Sequence, residues 1–195
     1  MALTASAAIG NYSDRVQNQI WYRAIILPSP FKKTLLDHLI LRYNQFSYMN
    51  KKKGAMLPII IEAAENFCLH QIRLPYQFIP SMSDVRTLLA YIDIEAEDGT
   101  THRAFIGCDP HMIQTITEIF LGEDESDEET LIDMLLETTN MIVGSAKVLA
   151  TEAYDTSIKI ATPFFSPDQK IDTDAENVRF IGIENGAMMI AIKRL

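Results

Sequence analysis

Apolar residues in the first third of this chain recur at three- and four-residue spacing, the period of helices with one buried face. A short helix is predicted from Ser13, with Ile20, Trp21 and Ile25 on its apolar side and Pro28-Ser29-Pro30 as its stop. A second follows Pro30 through Leu35, Leu36, Leu39, Ile40, Tyr43 and Phe46, and Lys51-Lys52-Lys53-Gly54 breaks it. A third spans about Leu57 to His70, turning Ile60, Ile61, Ala64, Phe67 and Cys68 inward. Pro58 fits its first turn, where a backbone N–H has no helical partner.

After Pro75 and Pro80 the pattern alternates. Val85 to Glu97 reads as a strand with Leu88, Ala90, Ile92 and Ile94 on one face, and Asp98-Gly99 turns it into a return strand from Thr100 to Gly107. Asp109-Pro110 has the form of an N-cap followed by proline at the first helical position. Met112, Ile113, Ile116, Ile119 and Phe120 then mark a helix that Gly122 closes. The acidic run Glu123 to Glu129 leads into the longest helix, about Asp127 to Ala153, where carboxylates suit the positive end of the macrodipole. Ser157 to Phe165 is a strand ended or bulged at Pro163, and Val178–Glu184 and Ala187–Lys193 make a second hairpin across Asn185-Gly186. The order of elements predicts an α+β fold: a largely antiparallel sheet with packed long helices, plus a helical N-terminal extension.

Charge divides the chain where the pattern does. Residues 1–55 carry eight Lys/Arg against two Asp/Glu, and residues 56–195 nine against twenty-four, giving +6 and −15 within a total of −9. We therefore expect a basic extension over 1–54 and an acidic main domain over 55–195, the extension either folding back on the acidic body or serving a separate partner. The acidic balance argues against a general nucleic-acid binder. No signal-peptide pattern opens the chain and no apolar run approaches membrane-span length, so a cytoplasmic protein without membrane insertion is expected. Cys68 and Cys108 match no metal or redox spacing and are expected to be small buried apolar residues.

Phosphate loops, paired metal-ligand spacings and G-x-S-x-G elbows are missing from the sequence, and the four histidines are scattered. The long helix holds the candidate chemistry. At 100° per residue, Ile132, Leu135, Leu136, Ile142 and Leu149 form a core stripe, while Asp133, Glu137, Asn140, Gly144 and Lys147 fall at about 0°, 40°, −20°, 20° and −40° on a separate, narrow face. Glu137 and Asn140, three apart, project side by side. Gly144 costs about 1 kcal/mol in mid-helix relative to alanine, and close approach of another backbone would account for it. Spacing alone leaves this face open between a solvated stripe and a site.

The segment Asp133-Met134-Leu135-Leu136-Glu137-Thr138-Thr139-Asn140-Met141-Ile142-Val143-Gly144 resembles the E-x-x-N-M-x-x-G helix of the CheC/CheX chemotaxis phosphatases. Its surroundings are similar too: an upstream strand, the Asp109-Pro110 helix with its Gly122 stop, and Ile158 to Pro163 in place of the family's Ile-Thr-Pro-Pro strand. A single E-x-x-N is nearer to CheX. The likeness runs over about Val85–Leu195, is loose over 55–84 and does not reach 1–54. It implies a protein-aspartyl-phosphate phosphatase acting on a phosphorylated CheY-like response regulator. Asn140 would orient the attacking water and Glu137 would anchor the regulator's lysine, with Asp133, Gly144 and Lys147 at the flank of the contact. No cofactor of its own is implied, and Mg2+ is expected on the regulator. The alternatives are a non-catalytic binding module on the same fold, as in flagellar switch proteins, and an unrelated α+β interaction domain. A homodimer is expected as well, because CheX-like proteins pair through their sheets. The last strand, moreover, is apolar on both alternations (Met188, Ile190 and Ile192; Met189 and Ala191) and should not lie at an exposed edge.

Overall fold

The computed structural model describes residues 56–82, 86–167, 178–184 and 186–195. The two helices expected before residue 51 and the expected boundary at 54/55 lie outside the described residues. Helix α1 (Met56–Asn66) runs into a turn of π-helix (Phe67–Gln71), followed by β1 (Gln77–Ile79), β2 (Leu88–Ala96) and β3 (Thr101–Cys108). Helices α2 (Pro110–Leu121) and α3 (Glu128–Ala153) come next, then β4 (Ile158–Ile160), β5 (Phe164–Phe165), β6 (Val178–Ile183) and β7 (Gly186–Arg194). The strands form one antiparallel sheet in the order β1-β6-β7-β3-β2-β4, with β5 also paired to β2. The predicted class, helices on a largely antiparallel sheet, is the observed one.

Strand alternation places the core. Leu88, Ala90, Ile92 and Ile94 of β2 are buried opposite Cys108, Ile106, Ala104 and His102 of β3, and Ile106 and Ala104 face Ile190 and Ile192 of β7. The three helices cover this face. On the other face Leu89, Phe105 and Ala191 form a smaller cluster joined by Tyr91, Val178 and Met189. There Arg103 makes a two-bond ion pair with Asp93 at 2.7 and 2.9 Å and lies 4.1 Å from the centre of the Tyr91 ring. Both cysteines are buried free thiols, and burial pushes the Cys68 thiol up to about 12.

The position of β7 meets the expectation that it should not lie at an exposed edge, and does so without a second copy. It lies between β6 and β3, both of its ladders are satisfied, and its two apolar alternations are accounted for by burial on both faces. The ground this strand gave for pairing two copies is therefore gone. The hairpin register differs from the expected one. Ile183 pairs with Gly186, so Gly186 opens β7 instead of occupying the turn. A Cβ at Gly186 would stand 2.6 Å from the Met112 backbone nitrogen, so the glycine is required by the approach of α2. The predicted 157–165 strand is two short strands on β2, interrupted at Ala161-Thr162-Pro163, and β1 was not foreseen.

Asp109 joins α2 to this sheet. It is 3% exposed. One carboxylate oxygen caps α2 by accepting from the Met112 N–H (2.7 Å), the other accepts from the Ala187 N–H (2.8 Å), and the Asp109 N–H donates to the Ala187 carbonyl (3.0 Å). Replacement by alanine strands two buried donors, so Asp109→Ala is expected to cost about 2–4 kcal/mol in urea unfolding, from a lost cap and an orphaned N–H.

Glu65 on α1 gives a second expectation. Burial raises its carboxyl to about 7, and the Tyr76 hydroxyl donates to it at 2.5 Å. The folded protein therefore holds this proton to higher pH than the unfolded chain does. Its contribution to stability is complete below the unfolded pKa and is lost as pH rises to about 7. Glu65→Gln should flatten the fall in melting temperature between pH 5 and pH 8 and melt higher than wild type at the upper end.

Candidate functional site

Helix α3 begins where three local devices agree. Gly122 takes the left-handed conformation (φ 73°) that ends α2, and its N–H donates to the Glu118 carbonyl. The Gln114 side chain spans the turn, donating to the Glu123 carbonyl (2.9 Å) and accepting from the Ser126 N–H (3.1 Å). Asp127 caps α3 by accepting from the Thr130 N–H (2.8 Å), and that bond lowers the Asp127 pKa. Glu128 and Glu129 occupy the first turn as the macrodipole favours, and the Arg86 guanidinium, bonded to Glu128 at 2.6 Å, holds the Glu128 carboxyl below its usual range.

From this start α3 runs 26 residues and presents two faces. Met134, Leu135, Thr138, Thr139, Ile142, Val143, Ala146 and Ala150 are buried. Ile132, Leu136 and Leu149 of the predicted core stripe are only partly covered, so the buried side is turned slightly from the one expected. Thr139 keeps its buried hydroxyl satisfied by donating to the Leu135 carbonyl (2.8 Å).

On the opposite side Asp133, Glu137, Asn140 and Lys147 are exposed and Gly144 is half-buried, so the five candidates share one outward face. Among the described residues, neither Glu137 nor Asn140 has a side-chain hydrogen-bond partner. A Cβ at Gly144 would meet no atom within 4 Å, so the close backbone approach suggested for it does not occur among the described residues. The arrangement offers a carboxylate and a primary amide one helical turn apart on a rigid support. The amide has donors and an acceptor for a water molecule, and the carboxylate can receive a cation.

One feature was missed in the sequence. Beside this face, between α3 and the end of α1, lies a groove of about 400 Å3 lined by Ala63, Asn66, Phe67, His70, Met141 and Ser145 among others. The predicted helix through His70 leaves the α-helical path after Asn66, and the π-helical turn sets His70 at the groove's rim. A slip from four-residue to five-residue hydrogen bonding leaves no mark in apolar periodicity over so short a segment.

The geometry is that of a helix-borne acid–amide pair on an antiparallel α+β domain, and comparison with known proteins shows what it is similar to. The family model described as Chemotaxis phosphatase CheX matches residues 93–184, which include Glu137 and Asn140. The fold matches the CheX chemotaxis protein of Vibrio vulnificus (TM-score 0.56, 19% identity, 73% of this chain and 99% of that one). It also matches the CheX of Desulfovibrio desulfuricans (0.54, 18%, 72% and 99%) and, from Borrelia burgdorferi, the complex of CheX with CheY, BeF3 and Mg2+ (0.53, 14%, 71% and 98%). No curated protein matches the chain significantly. These matches support a CheC/CheX-type family assignment. Among the described residues no helix is long and apolar enough to cross a membrane.

Because the stripe faces outward, its side chains should matter little to folding. Glu137→Ala and Asn140→Ala are each expected to unfold within about 0.5 kcal/mol of wild type in urea, since alanine is also the better helix former. A loss of several kcal/mol in either would show that the stripe is core.

Proposed function

We propose that this protein hydrolyses the phosphoaspartate of a CheY-like response regulator, with Asn140 orienting the attacking water and Glu137 holding the regulator. The observation that carries the reading is the outward presentation of Glu137 and Asn140, three residues apart, inside the segment that the phosphatase family model matches. The phosphoryl group arrives on a partner that brings its own Mg2+ and lysine, as the composition of the Borrelia burgdorferi complex supports for the metal. Those cations neutralise charge on the transferring group. The contribution left to this chain is geometric. Water must stand in line with the scissile P–O bond, and an amide that both donates and accepts can hold it there. Attack forms a new P–O bond, the aspartyl carboxylate leaves with the electrons of the old one, and inorganic phosphate is released. No strong base on this chain is required.

Glu137 acts before chemistry by making a charge-assisted contact to the regulator's active-site lysine. Asp133 and Lys147 flank the contact, and Gly144 keeps the helix surface low where the partner approaches. A cytoplasmic location follows from such a partner.

The two residues should fail differently. Asn140→Ala should lower turnover at least a hundredfold while pull-down of the phosphorylated regulator persists. Glu137→Ala should weaken pull-down and turnover together, by a few kcal/mol if the ion pair is desolvated. Near-full activity in Asn140→Ala would refute the mechanism, and wild-type binding without any turnover would favour a non-catalytic module.

A further inference from the structure

A folded regulator covers far more than two side chains. Specific partners bury about 800 Å2 on each side, with an apolar centre and a polar rim. The Glu137 stripe supplies charge and one amide but no apolar centre. The groove beside it does. Glu137, Met141 and Ser145 lie four apart on α3, at about 40°, 80° and 120° on the scale that puts Asp133 at zero, so they form one ridge from the stripe into the groove. Ala63, Phe67 and Met141 give the groove its apolar lining, and Asn66, His70 and Ser145 are uncharged or weakly basic polar groups. Among the described residues the lining holds no carboxylate, although residues 56–195 carry a net charge of −15. The apolar surface continues outward. Phe67 stacks on Phe120 with ring centres 6.4 Å apart, and Ile119, Phe120 and Leu121 at the end of α2 are 43%, 40% and 52% exposed.

We propose that the groove between α1 and α3, extended by Phe120, is the second half of the regulator-docking surface, receiving an apolar segment next to the phosphorylated aspartate. This rests on the functional reading above. Glu137 and Asn140 address the phosphoryl site, and the groove sets affinity and the choice among regulators. Contacts there are made equally before and during hydrolysis, so they act on KM and leave kcat alone.

The test uses the full chain and a purified CheY-like regulator, chemically phosphorylated, with magnesium. Ser145→Trp fills the groove, and Phe120→Ser removes its outer apolar wall. Each is expected to raise KM at least tenfold and threefold respectively, with kcat within twofold of wild type and an unchanged melting temperature. If Ser145→Trp fails to fold, Phe120→Ser, at an exposed position, decides alone. Unchanged KM in the folded variants, with Asn140→Ala still inactive, overturns the docking proposal and leaves the functional reading standing. A change in molar mass on light scattering with KM unchanged also overturns it, assigning the groove to a second copy of this chain. If wild type shows no turnover, the functional reading has failed. Binding of the regulator activated with beryllofluoride then decides the groove separately: the variants must weaken it by the same factors, and equal binding overturns the proposal.

Discussion

The structure turns on one buried carboxylate. Asp109 gives one oxygen to the first turn of α2 and the other to the backbone of β7, and its own N–H closes the contact on the Ala187 carbonyl. A helix N-terminus carries unpaired N–H groups, and so does the start of a strand before its ladder begins. Burying the two together without partners would cost several kcal/mol; one carboxylate satisfies both. Gly186 completes the joint, because the α2 backbone passes where a side chain would stand. The position of α2 on the sheet is thereby set, and with it the point from which the chain turns into α3.

From that point the placement of the candidate pair is a matter of helix arithmetic. The Gln114 side chain and the Asp127 cap fix the turn and the first residue of α3, and eight buried positions seat the helix against its neighbours. Once that side is committed, the positions about 180° away must face outward. Glu137 and Asn140 are held there by the backbone of a long helix, with no side-chain bonds of their own among the described residues. Such a pair is rigid in its base and free at its tips, as suits groups that complete a site on another protein.

Much of this was legible in the chain. Asp98-Gly99, the Asp109-Pro110 cap and the Gly122 stop are residues chosen by local backbone chemistry, and each does locally what its type predicts, with Gly99 at φ 80° and Gly122 at φ 73°. The outward stripe on α3 was equally legible, because 26 residues make helical periodicity unambiguous. What failed were the features set by distant neighbours. The two apolar alternations of β7 signal burial on both faces as readily as a sticky edge, and only its pairing with β3 and β6 separates the two. Gly186 looked like a turn residue, but its reason is a contact with Met112, 74 positions earlier. The groove escaped for the same cause: Phe67 read as core and Met141 as part of the motif segment, and their meeting across α1 and α3 is tertiary.

The central claim is that this helix face performs catalysis on a phosphorylated partner and does not merely bind it. The direct measurement is inorganic phosphate released over time from a large molar excess of phosphorylated CheY-like regulator, in magnesium, with the full chain at about one part in a hundred. The account predicts many regulator molecules dephosphorylated per protein chain, well above the regulator's own decay. Release at the spontaneous rate, with a stable complex formed one to one, would contradict it.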